Sequence, residues 1–319
     1  DSIGWQSLAQ TETDLFASDM SALRIFAPNW FVPVTQVMDL VDQAITAMDS
    51  NGYVYRLDSD LYFRVSKFLD QLPYSMDESL AMFAERGGDP DRIGKEHPLD
   101  PVLWIANRDG EPGWNSSHGL GRPGWHIECA VISLRYLVGN DFVHGDATRS
   151  VLIDIQGGGN DLIFPHHFMS GIQVKAMTGQ EFARGYVHTG LIGFNGEKMS
   201  KSRGNLVFVS KLLADGIDPM VIRFALLQGH YATDRMWSDS VLDQATHDVA
   251  RIRAALARNE VAPTSEVVTT IIASLANDLD TPSAFKALFN WVDATEYGHT
   301  GGSTGEIART LDSVLGLAF

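Results

Sequence analysis

The apolar run Val151 to Ile155, broken only by Asp154, leads straight into Gly157-Gly158-Gly159. No other feature limits the fold as tightly. A continuous apolar stretch of strand length reads as a strand buried on both faces, which is the habit of parallel sheets covered by helices. Glycines at its end let the backbone come close to a ligand, in the manner of a nucleotide site. A glycine triplet alone could be a simple turn. Here it sits between the apolar strand and Pro165-His166-His167, which strengthens the nucleotide reading. The 319 residues suit one large α/β domain with appendages, and 45% hydrophobic content is enough to bury its core.

Around that strand the periodicity predicts helices from Leu8 to Leu23, Pro33 to Met48 and Ile127 to Leu137. Tyr53-Val54-Tyr55 and Leu61 to Val65 read as short strands of a hairpin-like insert after the Asn51-Gly52 turn. Ala84 to Pro101 and Asp109 to Gly124 are rich in loop residues, and long irregular stretches of this kind are more often functional than idle. Past Lys211 the chain reads as largely helical: a helix opens at Asp218-Pro219, and others follow over Ser240–Arg258, Ser265–Asp278, Pro282–Tyr297 and Gly305–Leu315. Gly298 to Gly305 reads as a solvated linker.

The formal net charge is −16. Clasping a polyanionic RNA usually takes a basic face, so this balance lowers the expectation of a nucleic-acid partner, although solubility alone would also explain it. The single cysteine, Cys129, excludes an internal disulfide and points to a reducing, cytoplasmic setting. No apolar run reaches membrane length and no signal peptide is visible. The chain begins at Asp1 without a methionine, in residues that already read as helix, so its start reads as the middle of a longer gene product.

Chemistry is concentrated in Lys198-Met199-Ser200-Lys201-Ser202, flanked by Gly196 and Gly204. Two lysines three positions apart on a mobile loop can close over a polyphosphate and offset charge as pyrophosphate leaves. A solvated Lys/Ser loop is the plain alternative. Cys129 and His166 are residue types suited to zinc, although either one alone is more often a core residue. Trp125 precedes Cys129 by four residues, so a helix would put both on one face, and a core tryptophan is the competing reading. Asp161 could accept hydrogen bonds from ribose hydroxyls.

The pentapeptide matches the KMSKS signature, and the chain resembles the class I aminoacyl-tRNA synthetases. Three further segments resemble the cysteinyl branch of that family: Gly121-Arg122-Pro123-Gly124-Trp125-His126-Ile127-Glu128-Cys129, Gly157-Gly158-Gly159-Asn160-Asp161-Leu162-Ile163-Phe164-Pro165-His166-His167, and Pro98-Leu99-Asp100 with Leu103-Trp104 and Gly110-Glu111-Pro112-Gly113-Trp114. The resemblance runs from about Leu15 to the C-terminus. The branch holds cysteinyl-tRNA synthetases and the ligases that join cysteine to glucosaminyl-inositol in mycothiol biosynthesis. Three features side with the ligases. Glu85-Arg86-Gly87-Gly88-Asp89-Pro90 matches a segment particular to them, only one or two helices follow Asp278-Leu279-Asp280-Thr281-Pro282, and Ser170 stands where the synthetases carry a zinc-binding glutamate.

This resemblance implies a Rossmann-like catalytic domain lacking its first strands (residues 1–50 and 101–195), with an inserted subdomain (51–100), a KMSKS and stem-contact-like region (196–240) and a helical C-terminal domain (241–319). It implies ATP with magnesium, cysteine and glucosaminyl-inositol as small-molecule partners, and a cytoplasmic monomer with neither nucleic acid nor membrane as partner. Lys198 and Lys201 take the catalytic role, with Met199, Ser200 and Ser202 completing the ATP-holding loop. Gly159, Asn160 and Asp161 contact the adenylate, and the backbone near Ile192 meets adenine. Trp125 packs against the bound cysteine. Cys129 and His166 hold zinc together with another cysteine from the N-terminal region, leaving a position open for the substrate thiolate. His126, His167 and His188 have family-compatible positions and no role beyond local hydrogen bonding. A cysteinyl-tRNA synthetase and an inactive truncated paralogue are the alternatives.

Two departures stand out. None of the ten histidines lies in a His-x-Gly-His motif. In the family that motif lies upstream of the point matching Asp1, so the 319 residues alone are expected not to form cysteinyl-adenylate. The stretch between Cys129 and His166 is also longer than usual, and its surplus, around Leu137 to Ser150, reads as a surface loop.

Overall fold

A computed structural model describes residues 4–200 and 203–319. The chain divides into two compact units, one formed by residues 29–188, the other by the residues up to Pro28 together with Thr189–Phe319. Each has its own hydrophobic cluster.

Helix α1 (Trp5–Ala22) belongs to the second of these units and has no buried residue. Leu23, just past its end, is buried, and Asp19 accepts a hydrogen bond from the Ser210 amide at 3.1 Å.

The 29–188 unit begins with α2 (Met38–Ser50), which buries Met38, Val41, Ala44, Ile45 and Met48 along one helical face. Strands β1 (Val54–Leu57) and β2 (Asp60–Phe63) form the expected hairpin, closed at Asp58 with φ 55°. Ser75 then caps α3 (Met76–Glu85) reciprocally with Glu78, the capping box that Ser-x-x-Glu encodes. Strands β3 (Val102–Ala106) and β4 (Gly121–Pro123) complete an antiparallel sheet in the order β1-β2-β3-β4, so two of its strands come from beyond residue 100. Asp100 pins its corner, accepting from the amides of Val65 and His97, each at 2.8 Å, and from the Tyr55 hydroxyl at 2.9 Å.

Helix α4 (Trp125–Leu137) leads to β5 (Val151–Gly159), α5 (Phe168–Thr178) and β6 (Glu181–Thr189). Arg184 stands beside Asp154, and Val187 beside Gly157, so β5 and β6 run the same way and with α5 make a strand–helix–strand unit. Two expectations change here. The three glycines continue β5 instead of following it. The strand is not buried throughout: Leu152 and Ile153 are in the core, but Asp154 and Ile155 are exposed, Ile155 by 64%. The surplus segment is also more than a surface loop. Its Phe142 is fully buried, and the Gln180 amide ties Asp146 through its N–H at 2.8 Å and its carbonyl at 2.9 Å.

In the other unit β7 (Ile192–Phe194) pairs antiparallel with β8 (Glu197–Lys198) across Asn195-Gly196, both at positive φ, the dipeptide that tight hairpins favour. Helices α6 (Val209–Ala214) and α7 (Pro219–Leu227) follow, α7 started by Asp218 accepting from the Met220 amide ahead of Pro219. Strand β9 (Arg235–Trp237) lies parallel to β7. Four helices complete the unit: α8 (Asp239–Leu256), α9 (Ser265–Ala276), α10 (Thr281–Glu296) and α11 (Thr304–Leu315). Their apolar faces, with Ile252, Ile271, Leu288, Trp291 and Leu311, make one core.

Candidate active site

Helix α4 starts directly after Gly124, where a Cβ would collide with the Val102 carbonyl oxygen, so only glycine allows this entry. That entry puts Trp125 on the first turn with its indole 49% exposed, which rules out the core-tryptophan reading. The indole stacks on His166, with centroids 4.3 Å apart and planes 23° apart. His126 is buried, and its Nδ1 meets the Nδ1 of His166 at 3.0 Å. One of these rings donates and the other accepts, so at least the accepting ring is neutral, and burial favours the neutral form of both. Burial, reinforced by the neighbouring ring, holds His126 down to about 3. Burial and then His167 hold His166 down to about 4. Ser170, also buried, donates to the His126 carbonyl at 3.1 Å.

Cys129 lies one helical turn beyond Trp125 and is half-buried. Burial, then the charge of Glu128, pushes its thiol up to about 11, and burial also pushes Glu128 up to about 7. The sequence had not singled out Glu128. Among the described residues no group of three or more His, Cys, Asp or Glu is placed to hold a metal ion. The donor chemistry of this pair suits zinc, but the described residues do not complete a site.

At the end of β5, Gly158 is required by packing, because a Cβ would stand 2.8 Å from Leu162 and 2.9 Å from the His167 ring. Gly159 turns the chain into Asn160–Leu162. His167 Nδ1 meets His188 Nε2 at 2.8 Å, and its Nε2 lies 3.2 Å from the Gln156 amide. The three histidines left without a role in the sequence thus join His166 in two pairs behind this turn: His126 with His166, and His167 with His188.

The sequence missed what holds the turn. Arg86, at the end of α3, donates to the backbone carbonyls of Asp161, at 2.6 Å, and Phe164. The Arg86-Gly87-Gly88-Asp89 segment also forms one wall of a pocket of about 290 Å³ whose other walls include Asp60, Arg108, Arg122, Trp125 and His126. The signal that could have found it was the guanidinium beside two glycines in a loop-rich stretch.

Lys198 ends β8, and its carbonyl accepts from the Asn205 side-chain amide at 3.2 Å, while the Ser200 amide donates back to Asn205 at 2.9 Å. Arg203 pairs with Glu197 at 2.8 Å across the loop. Asn205 thus braces Lys198, Met199 and Ser200, whereas Lys201 and Ser202 lie outside the described residues. Ile192 sits on β7 opposite Arg235 of β9.

Comparison with known proteins matches residues 1–247 to the family described as the tRNA synthetases class I (C) catalytic domain. The chain is 46% identical over its whole length, and 74% of the relative's, to an L-cysteine:1D-myo-inositol 2-amino-2-deoxy-alpha-D-glucopyranoside ligase of Mycolicibacterium vanbaalenii. It is 45% identical to the protein of that name from Streptomyces avermitilis, over 100% of this chain and 76% of the relative. Its fold is similar to that of Mycobacterium tuberculosis methionyl-tRNA synthetase in complex with methionyl-adenylate, with TM-score 0.63 and 17% identity over 92% of this chain and 70% of that one.

Proposed function

Because the chain belongs to the tRNA synthetases class I (C) catalytic-domain family, and within it to the L-cysteine:1D-myo-inositol 2-amino-2-deoxy-alpha-D-glucopyranoside ligases, we propose that it joins L-cysteine to the amine of glucosaminyl-inositol at the expense of ATP. The likeness to these ligases over the full chain carries the reading, and the half-exposed Trp125 stacked on His166 supports it. The cysteine carboxylate attacks the α-phosphorus of Mg-ATP, which expels pyrophosphate and leaves cysteinyl-adenylate. The acceptor amine then attacks the adenylate carbonyl, AMP leaves, and an amide remains after the amine loses its proton.

In this reading Trp125 presents its free face to the cysteine. Gly159, Asn160 and Asp161 hold the adenylate at the end of β5, and the backbone at Ile192 meets adenine. Lys198, with Lys201, Met199, Ser200 and Ser202, closes on the polyphosphate and offsets charge on the leaving pyrophosphate. Positioning does most of the remaining work, since an acyl-adenylate is already reactive.

Zinc belongs to the same reading, held by Cys129 and His166. A bound zinc would favour the thiolate of cysteine over the hydroxyl of serine. What supports it is the donor pair and the Nδ1 contact with His126, which orients His166 as metal-binding histidines are commonly oriented. The reading has a cytoplasmic monomer acting on small molecules, without RNA or membrane partner. It agrees with the net charge of −16, and no helix among the described residues is long and apolar enough to cross a membrane.

The test is to give the protein, as its gene encodes it, cysteine, Mg-ATP and glucosaminyl-inositol and to look for the amide and AMP by mass spectrometry. Charging of tRNA with cysteine, and no amide, would refute the reading.

A further inference from the structure

We propose that the pocket walled by Arg86-Gly87-Gly88-Asp89, Asp60 and Trp125 binds the acceptor, a two-ring amino-polyol, and holds it by charged groups already hydrogen-bonded within the protein. The inference rests on the ligase reading above and adds where the second substrate sits.

Three observations point there. The first is position. Trp125 and His126 line the pocket, and Trp125 also stacks on His166, so a ligand in the pocket lies beside the indole to which the cysteine has been assigned. An amine attacking the cysteinyl carbonyl must come from close by.

The second is charge. Four arginines line the pocket, which by itself would suggest a phosphate. Each is already engaged. Arg86 donates to the Asp161 and Phe164 carbonyls, Arg92 pairs with Asp60 at 2.6 Å, Arg108 lies 3.6 Å from Asp60, and Arg122 pairs with Glu111 at 3.0 Å. Asp89 accepts from Tyr62 and from Lys95, the latter at 2.9 Å. Such a lining offers donors and acceptors side by side, with carboxylates beside Arg92, Arg108 and Arg122 and backbone carbonyls on Arg86. Hydroxyl groups, which both donate and accept, suit it, and the acceptor's neutral amine can donate to Asp89 while its lone pair stays free. A polyanion would have to displace carboxylates from Arg92, Arg108 and Arg122.

The third is shape. Gly88 cannot be replaced without driving a Cβ into the Phe83 ring, and Gly124 is likewise closed off by the Val102 carbonyl oxygen. Both glycines line the pocket. The volume, about 290 Å³, is at the lower end of small-molecule sites, roughly 300–1,000 Å³, and suits two linked six-membered rings.

The experiment separates the half-reactions in the protein as its gene encodes it. Cysteine-dependent ATP–pyrophosphate exchange needs no acceptor, whereas amide formation does. Arg108→Ala and Arg122→Ala remove side chains that are 60% and 40% exposed, so folding is expected to survive, and Asp89→Asn removes a charge at the wall. The expected result is exchange within twofold of wild type and a KM for glucosaminyl-inositol raised about 10-fold or more, the loss of one hydrogen bond to a charged group. An unchanged KM in all three variants would overturn the proposal, as would parallel falls in exchange and amide formation. If wild type exchanges pyrophosphate and makes no amide, the ligase reading has failed. If the variants instead impair charging of tRNA, the pocket serves an RNA end and the sugar assignment falls.

Discussion

Lowering the pH from 7.5 to 5.0 is expected to destabilise the 29–188 unit, and His126 supplies a calculable share of the loss. An unfolded histidine titrates near 6.5, whereas burial holds His126 down to about 3. Between those values the unfolded chain binds a proton that the folded chain refuses, so stability is present above about 6.5 and is lost as pH falls towards 3. At pH 5.0 the difference is 1.5 units below the unfolded value, which at about 1.36 kcal/mol per unit amounts to ~2 kcal/mol. At pH 7.5 it is close to zero. His166 and His167, each held down to about 4, act in the same direction. For a unit of this size ~2 kcal/mol corresponds to a fall of ~4–8 °C in the unfolding midpoint. The assay is thermal unfolding followed by circular dichroism at pH 7.5, 6.0 and 5.0, on chelator-treated protein so that metal release plays no part. His126→Asn keeps a polar group facing the His166 Nδ1 but cannot titrate, and should recover about 2 kcal/mol of the difference between pH 7.5 and 5.0. If the variant keeps the full pH slope, the buried neutral pair is not the cause.

Other substitutions test other links. Asp100→Ala strips the acceptor from the Val65 and His97 amides and the Tyr55 hydroxyl and is expected to cost about 2–4 kcal/mol, read from the urea midpoint; a loss under 1 kcal/mol would contradict the burial of that corner. Phe142→Ala should cost about 3–5 kcal/mol, since its ring anchors the surplus segment in the core, and a neutral result would return that segment to the surface. Trp125→Ala should raise the KM for cysteine in pyrophosphate exchange several-fold, in keeping with the ~0.5–1.5 kcal/mol of an aromatic contact, while leaving the unfolding midpoint within ~1 °C. A fall in the midpoint with KM unchanged would make the indole structural.

Local chemistry carried much of the fold into the sequence. Asp218-Pro219 opened α7 as written, because cap and φ restriction act within four residues. Helices α8 to α11 lie within two residues of the ends expected from their apolar spacing. Ser75-x-x-Glu78 encoded α3 just as plainly and went unread. Less legible were the places where burial depends on residues far away. The spacing of Val151 to Ile155 fits a strand, but nothing local could tell that Ile155 would face outward while Leu152 and Ile153 pack inside.

The site divides along the same line. The sequence alone determined which side chains bring chemistry: an indole and a thiol four residues apart on one helix, an imidazole after a glycine-ended strand, lysines on a glycine-flanked loop. Only the tertiary structure decided that His126 and His166 would share a hydrogen bond across 40 positions, that Arg86 would reach the Asp161 carbonyl from 75 residues away, and that the loop after α3 would face Trp125 across a pocket. Helix spacing, caps and turns are set by bonds that close within a few residues. Ring pairing and pocket walls require the chain to exclude water between distant segments first, and that exclusion is a property of the packed whole.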